Sequence, residues 1–477
     1  MGQAQFGMIG LGTMGRNFLL NVAEHGFSCV GYDLDDRKRA LLVEEGSAFS
    51  VAAANDLKSF VAGLETPRRI MLLVPAGPIV DSIIHDLRPL LQKGDIVIDG
   101  GNSHFADTER RESLLNSEGI EFLGVGVSGG EEGARHGASI MIGGKAEVYE
   151  HVRPMLEAAS AKVNNEPCAA HVGNGSAGHF VKMVHNGIEY GLMQLIAESY
   201  DLLKRGLQKT DIEIADLFAE WDKGELNSFL IEISSTVLRK ADEETGKQLV
   251  ELILDTAGQK GTGRWTSEIA MVLGVPIPTI DSAVTMRQIS AKKAERVLAA
   301  EKYDFGNRST EVPDGFHEAS VELIRVGLFA AFIITYAQGL SLLKAASLEK
   351  NFAFDMVEIA KIWRGGCIIR SALLEDIRKA YEKEPGLENM LVSEQFVGHL
   401  NANQGALYMV VNISQLRGVP CMSLAASLNY LLAYSSARLP ANLIQAQRDY
   451  FGAHTYQRID KEGIFHTPDW DVVHGTN

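Results

Sequence analysis

The chain has 477 residues, more than one ordinary hydrophobic core serves, and at roughly 150 residues per domain its length suggests about three units. Lys and Arg number 45 against 61 Asp and Glu, a net charge of −16, which argues against a nucleic-acid partner because affinity for a phosphate backbone comes mostly from clustered Lys and Arg. With 46% hydrophobic and 22% charged residues, the composition is that of an ordinary globular protein and excludes the disordered and fibrous classes.

Apolar runs at Gln5 to Ile9, Ser28 to Tyr32, Arg69 to Val74, Asp95 to Asp99 and Glu121 to Val125 alternate with amphipathic stretches such as Arg16 to Glu24 and Ile79 to Leu91. That alternation predicts a parallel α/β sheet. From about Gly178 the period changes to 3.6, and helices are predicted at Gly178 to Arg205, Gln248 to Thr256, Ala283 to Ala300, Glu318 to Ala346 and Gln404 to Leu416. Ala197-x4-Leu-Leu-Lys204 recurs as Ala337-x4-Leu-Leu-Lys344, and Trp221-x-x-Gly224 as Trp363-x-x-Gly366, in the same order and at nearly the same offset, which suggests a duplicated helical unit. The stretch from Val326 to Leu343 approaches the length of a membrane span, but Thr335, Tyr336, Gln338 and Ser341 would lack partners in lipid, so it reads as a buried helix. The N-terminus has no basic region followed by an uninterrupted apolar run, and Cys29, Cys168, Cys367 and Cys421 have no metal-ligand or redox spacing. A reducing, cytoplasmic compartment and no metal site are expected. After Pro440 a tail mixes aromatic, basic and acidic residues, more aromatics than a disordered terminus carries, and is expected to pack on something.

Gly10-x-Gly12-x-x-Gly15 joins the first predicted strand to an amphipathic helix. There the first glycine makes the turn, the second lets the backbone approach a pyrophosphate, the third lets helix pack on strand, and the helix N-terminus faces the phosphates. Gly173-x-Gly175-x-x-Gly178 matches the same pattern, but no second strand ending in an acid follows it, so it reads as glycine punctuation at a domain junction. The first motif is followed by a strand ending in Asp33, whose carboxylate suits a ribose 2′-hydroxyl and repels a 2′-phosphate. Arg37, Lys38 and Arg39 nearby carry the opposite charge, while Asp35 and Asp36 are also what a helix start favours.

Two further loops, Asp99-Gly-Gly-Asn102-Ser103 and Gly126-Val-Ser128-Gly129-Gly130, follow strands and should open at the carboxyl edge of the sheet, where such folds bind ligands. Lys182, His185, Asn186 and Glu189 stand at i, i+3, i+4 and i+7, one face of a helix, while Phe180, Val181, Met183, Val184 and Ile188 surround the rest. That arrangement predicts a buried helix with a polar stripe turned into a cavity. A buried ion-pair network is the plain alternative; a lysine that sheds its proton and a carboxyl that keeps one would instead be a general base and acid. Lys260, Arg287, Arg448 and His454 are further basic residues that spacing alone cannot bring together.

Gly10-Leu11-Gly12-Thr13-Met14-Gly15, Val127-Ser-Gly-Gly130 and Gly173-x-Gly175-x-x-Gly178-x3-Lys182-x3-Asn186 resemble the signature set of the β-hydroxyacid dehydrogenases. Within them, Val127 to Arg135, Phe180 to Tyr190, Ile362 to Arg370 and Asn442 to His454 resemble the decarboxylating 6-phosphogluconate dehydrogenases, over essentially the whole chain. The resemblance implies a Rossmann-type α/β domain over residues 1–176, a large all-α domain with an internal duplication over 177–437, and a C-terminal tail over 438–477 that enters the active site of a homodimeric partner. It implies oxidative decarboxylation of 6-phosphogluconate to ribulose 5-phosphate and CO2 with NADP or NAD, a step of the pentose phosphate pathway and gluconate utilization. Lys182 would be the base and Glu189 the acid. Asn102, Ser128, Gly129, Gly130, His185 and Asn186 would hold the sugar acid, and Tyr190, Lys260, Arg287, Arg448 and His454 the phosphate end. The cofactor would lie on Gly10 to Gly15, Asp33, Leu34, Asp35, Val74, Pro75, Ala76 and Asn102. The chain departs from the family's NADP pattern at Asp33-Leu34-Asp35, where Asn-Arg-Thr is usual, and at Pro75, where lysine is usual; both departures predict that NAD is accepted at least as well as NADP. Other readings are a related dehydrogenase of another β-hydroxy acid and a non-catalytic nucleotide-binding sensor on the same fold.

Overall fold

The structure is a computed structural model that describes residues 3–303 and 316–471. Its sheet comprises β1 (Phe6–Ile9), β2 (Cys29–Tyr32), β3 (Val51–Ala53), β4 (Arg69–Leu72), β5 (Ile96–Asp99), β6 (Glu121–Ser128), β7 (Ser139–Gly143) and an edge strand, Ala169–Gly173. The order from one edge is β3-β2-β1-β4-β5-β6-β7 and then Ala169–Gly173. Pairing from β3 to β6 is parallel, β7 runs antiparallel to β6, and the edge strand runs parallel to β7. Sequence periodicity finds β1, β2, β4, β5 and β6. It passes over β3, which has only three residues, and over β7 and the edge strand.

Strands covered on both faces read as continuous apolar runs, and successive side chains then serve two cores. Phe6, Met8, Ile96 and Ile98 enter the core under helix α1 (Thr13–Glu24) with Phe18, Leu19 and Val22. Ile9, Ile70, Leu72 and Val97 enter the opposite core with Val80, Ile84 and Leu87 of the Pro78–Leu87 helix. Each such side chain, fully buried, contributes about 1.5–3 kcal/mol. The strand order reverses between β1 and β4, so the loops after β1, β4, β5 and β6 gather at one edge.

The Ala177–Asp201 helix begins the helical part and packs directly on the sheet: a Cβ on Gly178 would come within 2.2 Å of the Gly124 carbonyl and 2.4 Å of that of Met141. This close contact accounts for the second glycine motif, whose third glycine seats the helix against the sheet. The chain also divides into the compact units Met1–Ser427 and Leu428–Asn477, a division inside the Met422–Tyr434 helix. A long helix (Ala177–Asp201), a short one ending in a tryptophan (Asp211–Trp221) and a third (Phe229–Arg239) recur in the same order as Phe316–Lys350, Met356–Ile362 before Trp363, and Leu373–Lys383. The matched sequence pairs fall at corresponding places in the two sets, as a duplication requires.

The Ala319–Lys350 stretch is apolar enough to cross a membrane, but 89% of its most apolar window is buried within the protein. Three of its four interrupting polar residues find partners there: the Thr335 hydroxyl donates to the Ala331 carbonyl at 2.8 Å, the Tyr336 hydroxyl to the Ile369 carbonyl, and the Gln338 amide to Thr279 Oγ1 at 2.9 Å, while the buried Ser341 hydroxyl has no partner among the described residues. Two expected helices differ. Gln248 to Thr256 forms only one turn, Leu249–Glu251, with Leu252, Ile253 and Leu254 left exposed, so its periodic apolar face meets no core. Ala283 to Ala300 is broken at Lys292 into Pro278–Ala291 and Lys293–Lys302.

The second unit holds the Ala441–Gly452 helix and a two-stranded ribbon, Tyr456–Gln457 with Ile464–Phe465. The carboxylate of Asp449, fully buried, accepts from the backbone N–H of Thr455 and Thr467, from His466 Nδ1 and from the Trp470 indole, all at 2.9–3.0 Å. The aromatic-rich tail thus packs on itself around one acid. Residues 472–477, the end of the expected tail, lie outside the described residues.

Candidate active site

The turn after β1 shows why it carries three glycines. Gly10 has φ +96°, and a Cβ there would meet the Leu73 carbonyl at 2.6 Å; a Cβ on Gly15 would lie 1.9 Å from the Gly10 carbonyl. Both are required by the fold itself. Gly12 is not: its φ of −60° suits any residue, and a Cβ built on it meets nothing within 4 Å. Gly12 also caps α1 with no side-chain hydrogen bond, so the first N–H groups of the helix face that open space. A cradle with room beside Gly12, bounded by the first N–H groups of a helix, is what a pyrophosphate fits. Thr13 is exposed and Met14 half-buried beside the cradle, whereas Leu11 is fully buried in the core and offers a ligand no side chain.

Asp33 stands at the end of β2, but its carboxylate is already engaged: Oδ2 accepts from Leu11 N–H at 2.8 Å and Oδ1 from Asp35 N–H at 3.0 Å, with Lys38 Nζ at 3.4 Å. Burial works against the charge, yet these donors hold the carboxyl below its usual range. Asp33 therefore ties the glycine turn to the end of β2. Asp35 caps the Asp36–Glu45 helix by accepting from Arg37 N–H at 2.9 Å, and Leu34 is exposed.

A cavity of about 1150 Å³ opens beside these loops. The sheet domain contributes Val74, Pro75 and Ala76 after β4 and Asn102 after β5; helices contribute Asn186, Glu189, Tyr190 and Arg287, and the loop before the Thr262–Val272 helix contributes Lys260. Residues separated by more than 200 positions are thus brought to one wall, which spacing could not foresee. The Arg287 guanidinium lies 3.4 Å over the Tyr190 ring and donates to the Gly258 carbonyl at 3.1 Å, a placement that leaves its charge facing the cavity. Lys260 is exposed.

The predicted polar stripe lies on the Ala177–Asp201 helix, with Phe180, Val181, Val184 and Ile188 fully buried around it. Lys182 is 6% exposed, its stem packed across Gly126, where a Cβ would come within 2.4 Å of Lys182 Cβ. Burial depresses the Lys182 ammonium despite the opposing pull of Glu189. Burial likewise raises the Glu189 carboxyl, against Lys182 and Arg287. His185, fully buried, is held well below its ordinary value by burial and by Lys182. Its neighbours fit one neutral tautomer: Nδ1–H donates to Asn186 Oδ1 at 3.1 Å, and Nε2, 3.3 Å away, accepts from the Ser128 hydroxyl. Asn186 in turn donates to Thr262 Oγ1 at 3.2 Å. Gly129, with φ +123°, backs onto the Gly366 carbonyl, and Gly130 is exposed at the following helix start.

Lys182 and His185 lie in the wall behind the cavity rather than on its surface. Arg448 and His454 belong to the second unit, where both are exposed and Arg448 donates to Gln445 Oε1 at 3.1 Å. Sequence reasoning passed over His104, Thr262 and Trp265, which also line the cavity. The His104 ring meets that of Trp265 edge-on at 5.0 Å. The glycines of Gly258-Gln-Lys-Gly-Thr-Gly263 were the available signal for the second of these segments.

Residues 5–173 match the family model for the NAD binding domain of 6-phosphogluconate dehydrogenase, and residues 178–470 match that for the 6-phosphogluconate dehydrogenase C-terminal domain. The chain is 51% identical over 470 residues to the NADP(+)-dependent, decarboxylating 6-phosphogluconate dehydrogenase of Bacillus subtilis, covering 98% of this chain and 100% of that one. It is 48% identical to the decarboxylating 6-phosphogluconate dehydrogenase of Escherichia coli, with coverage of 98% and 100%. The solved 6-phosphogluconate dehydrogenase of Plasmodium falciparum, studied in apo form and with NADP+ and 6-phosphogluconate, superposes with a TM-score of 0.94 at 40% identity, covering 97% of this chain and 100% of that one. With both halves matched and the cradle and cavity where such a fold requires them, the chain belongs to the 6-phosphogluconate dehydrogenase family.

Proposed function

We propose that this cavity oxidatively decarboxylates 6-phosphogluconate to ribulose 5-phosphate and CO2, reducing NADP+ or NAD+, which takes up the hydride from C3. The observation that carries the reading is the buried Lys182–Glu189 pair, in which burial pushes the ammonium down and the carboxyl up, at the wall of a cavity holding Lys260 and Arg287. Neutral Lys182 accepts the C3 hydroxyl proton as hydride departs. Once protonated, it polarises the C3 oxygen of the β-keto acid, so that the electrons of the breaking C1–C2 bond have somewhere to go as CO2 leaves. Glu189, still carrying its proton, delivers it to the carbon that lost CO2. His185, Asn186, Ser128, Gly129, Gly130 and Asn102 hold the sugar acid, and Tyr190, Lys260 and Arg287 its phosphate.

Arg448 and His454 complete the phosphate site from the tail of a partner in a homodimer; the tail's own fold around Asp449 supports a preformed arm. On the cofactor, Asp33 and Pro75 stand where the family's NADP pattern has Asn and Lys, changes that remove favourable interactions with a 2′-phosphate, which supports NAD being accepted at least as well as NADP. Measuring kcat/KM with both cofactors tests this, and a hundredfold preference for NADP sinks it. Turnover of 6-phosphogluconate but not gluconate separates the reading from that of a dehydrogenase for another β-hydroxy acid.

A further inference from the structure

We propose that Arg111 is a positioning residue for the reaction: it fixes the turn after β4 and the turn after β5 in one geometry, and so sets how the nicotinamide side of the cavity meets Asn102. The proposal rests on the cavity being the active site. Arg111 lies on the Phe105–Ser117 helix, is 1% exposed, and does not line the cavity. Each of its five guanidinium N–H groups has an acceptor. Nη2 donates to the Gly77 carbonyl at 3.0 Å and to Asp81 Oδ2 at 3.1 Å, and Nε donates to Asp81 Oδ1 at 2.9 Å. Nη1 donates to Asp99 Oδ2 and to Ser103 Oγ, both at 3.1 Å.

Apart from Asp81, these acceptors belong to two turns that line the cavity through Gly77 and Asn102. Gly77 ends Val74-Pro-Ala-Gly and caps the helix that carries Asp81; Asp99 ends β5, and Ser103 follows Asn102. Asp99 is itself buried and organises its own turn, accepting from Ser103 Oγ at 2.7 Å and Gly101 N–H at 3.1 Å. The turns also touch directly, since a Cβ on Gly101 would lie 3.2 Å from the Val74 carbonyl. A fixed planar fork with five donors can hold this spacing; an ammonium with three cannot. Reacting atoms displaced by about 1 Å can slow a reaction by roughly a hundredfold, so a clamp outside the cavity can govern the rate inside it.

The test is Arg111→Lys, which keeps the charge and loses the fork, assayed with 6-phosphogluconate and with its 3-deuterated form. We expect kcat to fall at least tenfold with the folded content unchanged by circular dichroism, and the deuterium isotope effect on kcat to rise, because misaligned turns slow hydride transfer itself. A purely structural role would leave fewer active molecules at unchanged KM and isotope effect, and that result overturns the proposal. If Arg111→Lys does not fold, Ser103→Ala removes one acceptor and leaves the Arg111–Asp99 pair; a threefold lower kcat with a raised isotope effect supports the proposal, and wild-type values overturn it. Lys260→Met separates the two readings. If it raises the KM for 6-phosphogluconate while Arg111→Lys is silent, the clamp alone falls; if both are silent, the cavity reading falls as well.

Discussion

Gly12→Ala separates binding from folding more cleanly than any other single change. A Cβ at Gly12 meets nothing within 4 Å, and its φ of −60° and ψ of 176° suit alanine. The fold therefore loses only the difference between glycine and alanine as a helix cap, at most about 1 kcal/mol. The methyl group, however, fills the cradle in which a pyrophosphate would approach the N–H groups of α1. Two charge-assisted hydrogen bonds lost at about 1.5 kcal/mol each amount to ~3 kcal/mol, or roughly a hundredfold in Kd. Gly15→Ala is the contrasting change: its Cβ would lie 1.9 Å from the Gly10 carbonyl, so α1 must lift off β1 by more than ~1 Å, with a stability loss beyond the ~1–3 kcal/mol of ordinary overpacking. Isothermal titration with NADP+ and NAD+, beside thermal unfolding of both variants, reads the two effects separately. Wild-type affinity for both cofactors in a well-folded Gly12→Ala protein would refute the assignment of the cradle.

Lys182→Ala should reduce turnover at least a thousandfold while cofactor affinity stays within about threefold, checked by stopped-flow and titration. Because Lys182 must be neutral to act and its ammonium is depressed by burial, kcat/KM should rise with pH through a value below the ordinary lysine range. Because Glu189 must be protonated and its carboxyl is raised, the rate should fall again at a pH above the ordinary carboxylate range. Glu189→Gln should abolish turnover or remove that second limb, and an intact bell in this variant would exclude Glu189 as the acid. Glu198, away from the cavity, offers a stability test. It is 3% exposed, and burial raises its carboxyl from 4.5 to about 7, although Ser423 N–H, Leu424 N–H and Gln194 donate to it. A raised carboxyl stabilises the fold fully below its unfolded pKa, and that stability is lost as pH rises through the folded one. At ~1.4 kcal/mol per unit, about 3 kcal/mol should disappear between pH 4.5 and 7. Urea unfolding of Glu198→Gln should lack this component; an unchanged slope would show that another group carries it.

Much of this was legible in the sequence, for identifiable reasons. The strands buried on both faces appear as apolar runs, and the Lys182 helix announces itself because its polar residues occupy the spacing that an apolar stripe normally takes. What the sequence does not display is partnership. Nothing in Asp33-Leu-Asp35 distinguishes a ribose-binding acid from one that anchors the glycine turn and another that caps a helix, and the structure finds the latter two roles filled. Arg111 reads as an ordinary charged residue of an amphipathic helix, since its acceptors come from Gly77, Asp81, Asp99 and Ser103, each a loop or helix away. Gln248 to Thr256 fails in the opposite sense: its periodicity is real, but only Leu249–Glu251 winds and no core receives its apolar face.

The buried stripe also explains how such a helix is tolerated at all. Taking an ammonium and a carboxylate out of water costs several kcal/mol each, and their mutual attraction recovers that only in excellent geometry. Here burial acts instead on the protons: Lys182 and His185 are driven toward their neutral forms and Glu189 toward its acid form. Giving up charge lowers the cost of burial for each group. The same shifts move an amine toward accepting a proton and a neighbouring carboxyl toward donating one, so the change that eases burial of the helix runs in the direction that base and acid chemistry requires. Fixed charge is then kept at the cavity wall, in Lys260 and Arg287, where solvent still reaches it and an anionic substrate would meet it. A net charge of −16 is compatible with binding such a substrate because attraction depends on those few cations near it, while the excess acid on the solvated surface is screened within about 10 Å.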